Sequence, residues 1–176
     1  MSLRYKYKQA GRIIDRLSPD DLKSARQIAA EVRNAQQNLL KQAEGNFDRC
    51  VSVCKGLCCR NVALDPIISV WDFVYILIMD RSIGAGIEAC LSKEAPFFTS
   101  DCVFLENSRG PCLFPFDQRP EICITTFCTD VKPVEKEIRS VKLKFFKFYI
   151  FVTLAQAKTL LKTIFNRPRK GAARAG

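Results

Sequence analysis

Asp65-Pro66-Ile67-Ile68-Ser69-Val70-Trp71-Asp72-Phe73-Val74-Tyr75-Ile76-Leu77-Ile78-Met79 is the stretch on which the fold class turns. Its apolar residues are so many, and so often β-branched or aromatic, that periodicity leaves two readings, a buried strand or a buried helix. Two features favour the helix. The run is long for a strand, and Asp-Pro is a helix opening: Asp65 supplies an N-cap, and Pro66 stands where a missing amide costs nothing. The sequence therefore predicts a helix over 66–79 with little polar face.

The flanks read as helices too. Ser18-Pro19-Asp20-Asp21 is an N-terminal signature, with Ser18 as cap, Pro19 at the first position and two carboxylates at the positive end of the dipole. Leu22, Ala25, Ile28, Ala29, Val32, Ala35, Leu39, Leu40 and Ala43 then recur at helical spacing, which predicts a core-facing helix over 18–44 closed by Gly45-Asn46. Pro133 opens a second long pattern, Val134, Ile138, Val141, Phe145, Phe148, Val152, Ala155, Leu160 and Ile164, giving a helix over 134–166. A short helix over 88–93 carries Cys90. Between them, 95–133 is rich in proline and turn residues, as in Asn107-Ser-Arg-Gly110, and reads as loop. The expected architecture is mainly α: one helical domain over 18–166, packed around an irregular, loop-rich centre. Residues 1–17, basic with Tyr5 and Tyr7, read as a loosely held arm, and 167–176 as a flexible basic tail.

That centre is marked by sulfur. The chain of 176 residues has nine cysteines and no histidine. Eight fall in two groups: Cys50, Cys54, Cys58 and Cys59, then Cys102, Cys112, Cys123 and Cys128. Neither a secretory h-region nor a membrane-spanning run is visible, so a reducing cytoplasm is the expected compartment. There, clustered thiols point to metal binding more than to disulfides. Thiolates are soft ligands that select zinc, copper(I) or iron–sulfur centres. The absence of histidine excludes three-His zinc hydrolases, Cys₂His₂ fingers, Rieske centres and Cys–His nucleophilic pairs. The spacings match neither a zinc ribbon nor the ferredoxin runs. Cys90, standing alone, reads as a small buried hydrophobe.

The pieces Cys58-Cys59, Cys102-Val-Phe-Leu105, Cys112-Leu-Phe114 and Phe116-Asp-Gln-Arg-Pro-Glu-Ile-Cys123, followed by Cys128, resemble the YkgJ-type cysteine-cluster proteins, a family of zinc- or iron-chelating domains. The resemblance covers about 50–128, and Phe-x-x-Arg-Pro-x-x-Cys is its most specific part. It implies a ligand role for Cys50, Cys54, Cys58, Cys59, Cys102, Cys112, Cys123 and Cys128. Two departures stand out: three residues, not two, separate Cys50, Cys54 and Cys58, and Ile124 stands where the family often has Arg. Arg119 or Arg60 would then supply the charge that balances thiolates; for Arg119, local capping or pairing is the even alternative.

Charge divides the chain further. Of its net +10, residues 131–176 hold twelve Lys/Arg against two Asp/Glu, whereas 50–130 hold six against ten. Two functions follow as expectations. One is a cysteine-ligated metal protein, holding zinc or an iron–sulfur cluster in a structural or electron-carrying role. The other is a module that binds nucleic acid or another acidic partner through Lys142, Lys144, Arg167, Arg169 and Lys170. No catalytic triad, phosphate loop or dinucleotide fingerprint is present to suggest an enzyme.

Overall fold

The structure, a computed structural model, describes residues 1–45, 59, 62–93, 102–106, 111–127 and 131–165, with side chains to 161. These are mainly helical: α1 Leu3–Asp15, α2 Pro19–Gln42, α3 Leu64–Ile67, α4 Val70–Met79, α5 Gly84–Ser92, α6 Glu121–Thr125 and α7 Glu135–Phe165. Short 3-10 turns at Arg81–Ile83, Phe116–Gln118 and Lys132–Val134 join them. Among the described residues the one β pairing is an antiparallel bridge between Leu105 and Cys112.

The deciding stretch is helix, and it is the axis of the fold. Every residue of α4 from Asp72 to Ile78 is buried, as expected for a helix apolar on all sides. Its start differs from the sequence expectation. Leu64–Ile67 makes a single turn, and Ser69 is the true N-cap, closing a reciprocal capping box with Asp72. Asp65 has a different job: its Oδ1 accepts from the Leu3 amide at 2.7 Å.

That bond corrects the reading of residues 1–17. The segment is α1, a helix capped by Ser2, with Leu3, Ala10, Ile13 and Ile14 buried. It packs along α4. Lys6 is buried as well, and its ammonium donates to the backbone oxygens of Asp65 and Ile68, the latter at 2.7 Å. Apolar residues at 3, 10, 13 and 14 define one helix face; the many cations lie on the other and mask the pattern.

α2 begins as the sequence indicates, with Ser18 Oγ accepting from the Asp21 amide at 3.1 Å. It packs along α7. Small buried residues on α2 (Ala25, Ala29, Val32, Ala35) meet a row of larger ones on α7 (Val141, Phe145, Phe148, Val152), and alternation of size fills such an interface without voids. Tyr75 of α4 stands edge-on to Phe145 and Phe148, with centroids 4.8 and 5.9 Å away. Glu31 of α2 bridges Lys144 at 2.8 Å and Lys147 at 3.0 Å on α7. Among the described residues no helix is long and apolar enough to cross a membrane.

Candidate metal centre

Backbone pairing, not a long regular element, joins the segments that carry Cys102 and Cys112. The segments 102–106 and 111–114 run antiparallel: Leu113 N donates to Phe104 O at 2.8 Å and Glu106 N to Pro111 O at 3.1 Å. Phe104 and Phe114 point into the core, with their rings 4.7 Å apart, and Phe104 continues through Phe73 to Tyr7. Cys102 and Cys112, each two residues before one of these phenylalanines, are half-buried beside them. The Cys102 amide donates to Cys59 O at 2.7 Å, which ties the end of the first cysteine group to the second.

Cys123 arrives from a third direction. Pro120 starts the short helix α6, and the Cys123 amide donates to Pro120 O at 3.0 Å. The helix is pinned at its first residue, where Glu121 N donates to Asp72 Oδ1 at 3.2 Å. Tyr149 of α7 donates to the same oxygen at 3.0 Å, so one buried carboxylate joins α4, α6 and α7.

Cys90, Cys102, Cys112 and Cys123 carry free thiols. Burial pushes the Cys102 thiol up to about 12, opposed by an amide bond from Phe104 and supported by the nearby Cys112 and Cys59. Burial also raises Cys112, opposed by Arg119 and by an amide bond from Phe114. Cys123 reaches the surface, yet desolvation of its sulfur is the leading cause of its raised pKa, followed by Cys102, Cys112 and Cys59. Four sulfurs from separate parts of the chain are therefore close enough to disfavour one another's charge. For Cys102 and Cys112, the amide two residues onward opposes that rise.

Arg119 is engaged locally. Its guanidinium stacks on Phe116 with Cζ 3.6 Å from the ring centroid, and Nε donates to Phe114 O at 3.4 Å. From there its charge favours thiolate at Cys112 and Cys102. Cys90 is nearer than its isolation in sequence suggests, since it raises the Cys112 thiol.

The donor chemistry fits a soft metal: desolvated thiols, amide donors to sulfur and a nearby cation. Their placement is looser than a coordination sphere. Among the described residues, no three His, Cys, Asp or Glu side chains are gathered tightly enough to hold an ion. Cys50, Cys54, Cys58, Cys128 and Arg60 lie outside the described residues, as do Arg167, Arg169 and Lys170. Of the other cations singled out by the sequence, Lys142 is exposed and Lys144 is engaged by Glu31.

Two positioning residues escaped the sequence reading. Asp72 was legible as the last residue of a Ser-x-x-Asp capping box, a signal masked by the stronger Asp65-Pro66 opening. Gln36 had no signal: it is buried on the core face of α2, where its Nε2 donates to Arg119 O at 2.8 Å. Compared with protein-family models, curated proteins and solved structures, the chain matches none.

Proposed function

We propose that the chain is a cysteine-cluster metal-binding protein holding zinc or an iron–sulfur cluster, in a structural or electron-carrying role. The observation that carries this reading is the approach of cysteines from separate parts of the chain: the Cys102 amide donates to Cys59 O at 2.7 Å, and Cys102 and Cys112 lie on segments joined by the Leu105–Cys112 bridge, each two residues before a buried phenylalanine. Amide donors stabilise negative sulfur and help set the potential of a cluster. The YkgJ-type motif residues agree with this assignment, and Cys59, Cys102, Cys112 and Cys123 are the described ligand candidates.

Bound metal would supply the positive charge that the raised thiols lack. At neutral pH, burial keeps Cys102, Cys112 and Cys123 protonated, so each must lose a proton to ligate. Affinity should therefore rise with pH and fall on acidification. Phe104 and Phe114 keep water from one side of the site, which suits an all-thiolate cluster. Elemental analysis beside a visible spectrum of anaerobically purified protein tests the reading. Broad visible absorption with iron and sulfide identifies a cluster; colourless, zinc-loaded protein identifies a structural zinc. Protein that is folded and holds neither overturns the proposal.

A further inference from the structure

The helix α7 carries a second apolar row that the core does not use. Leu143, Phe146, Ile150 and Leu154 are between 45 and 64 % exposed, and Leu161 is 53 % exposed. At 100° per residue they lie opposite Val141, Phe145, Phe148 and Val152, the row buried against α2. With Ala157 the row advances by three or four residues at each step from 143 to 161, a straight line roughly 27 Å long at the α-helical rise. No charged residue interrupts it. Isolated exposed leucines need no explanation, but a continuous apolar row marks an interaction surface.

Charge selects the occupant. After Glu137, α7 contains six Lys/Arg and no Asp or Glu. Lys142 and Lys158 are exposed, and Lys147 remains half-exposed even while paired with Glu31. A second copy of the same row would set lysines against lysines. A bilayer favours a broad apolar face, whereas this row is about one residue wide per turn from 143 to 157, as in the seam of a helix pair, and widens only at its end, where Leu160 is exposed beside Leu161.

We propose that this row of α7 docks an amphipathic helix of a partner protein, with leucine-type residues in the seam and acidic residues on its flanks. Phe146 and Leu154 are the anchors, because large side chains near the middle of a helix-in-groove contact contribute most of its affinity. Lys142 and Lys158 set the preference for acidic flanks.

Fluorescence anisotropy with the full chain tests this, using two labelled amphipathic peptides that share a leucine seam and differ only in glutamate or lysine flanks. The glutamate peptide should bind, and more weakly as salt rises. The lysine peptide should bind at least about ten-fold more weakly, and Phe146→Ser with Leu154→Ser should weaken the glutamate peptide by about ten-fold or more. Phe146→Leu should retain binding. These exposed substitutions should leave the helical circular dichroism and thermal midpoint unchanged, so lost binding reports on the face itself. Equal binding of both peptides, or undiminished binding by the double variant, overturns the proposal. So does a concentration-dependent dimer that the double variant makes monomeric, which assigns the row to a second copy. Tighter binding to phosphatidylserine vesicles than to the glutamate peptide assigns it to a bilayer and overturns it equally.

Discussion

Replacing Asp72 by alanine perturbs the fold where three helices meet. The side chain is 4 % exposed. Its Oδ2 accepts from the amide and hydroxyl of Ser69 at 2.8 and 2.6 Å, and its Oδ1 from Glu121 N at 3.2 Å and Tyr149 Oη at 3.0 Å. Alanine keeps the helix but removes one half of the capping box, a loss of about 1 kcal/mol. It also removes the carboxylate that the Tyr149 hydroxyl donates to, leaving the Ser69 side chain beside that hydroxyl. Burial, and then the negative Asp72, raise that hydroxyl far above the ordinary tyrosine range, so it stays a donor. A largely desolvated donor that loses its charged acceptor costs about 1–3 kcal/mol. Together the expected loss is about 3 kcal/mol, or roughly 6–12 °C in thermal midpoint for a chain of this length. Thermal unfolding followed by circular dichroism measures it. The decisive comparison adds Tyr149→Phe. If the lost bond from the Tyr149 hydroxyl carries much of the loss, Asp72→Ala with Tyr149→Phe should be no less stable than Asp72→Ala alone. Strictly additive losses, or a drop below about 1 kcal/mol for Asp72→Ala, would refute the reasoning. The same change frees the first turn of α6, so the Cys123 thiol should become more reactive towards a thiol reagent.

Phe145→Ala should destabilise by about 3–5 kcal/mol in denaturant unfolding, because the ring is 1 % exposed and leaves a cavity beside Tyr75. Asp117 gives an acid-side signature. Burial raises its carboxyl, but bonds from Gln37 at 2.9 Å and Arg33 at 2.7 Å outweigh that and hold it below the ordinary value. A depressed folded-state pKa stabilises above the unfolded value, about 4, and the benefit is lost as pH falls through the folded value. Asp117→Asn should therefore cost about 1 kcal/mol at neutral pH, with the gap to the parent closing below pH 4. Cys123→Ser should lower metal content and stability together, whereas Cys90→Ser should lower neither; elemental analysis with thermal unfolding distinguishes them.

The long helices were legible because each carries one dominant signal. Ser18-Pro19 with an apolar stripe gave α2, and Pro133 with nine spaced apolar residues gave α7. The errors share a cause, a local signal overridden by tertiary contacts. Asp65-Pro66 is a good opening on its own, yet Asp65 is drawn away by the Leu3 amide and Ser69 takes the cap. Residues 1–17 looked like a solvated arm because their cations outnumber the apolar residues, and one cation, Lys6, is itself buried against carbonyls. A lysine used as a donor to backbone has no sequence signature. At the candidate centre, Pro120 presenting Cys123 on a helical turn was readable from Arg-Pro-x-x-Cys. The pairing of Leu105 with Cys112 was not, because two segments this short have too few residues to show a strand pattern.

Metal content of anaerobically purified protein, measured with Cys102→Ser, Cys112→Ser and Cys123→Ser variants alongside, tests the central claim most directly. The account predicts iron with sulfide, or zinc, in fixed proportion to the chain and lost in each of the three variants. Folded protein that carries neither metal, or variants that retain the full complement, would contradict it.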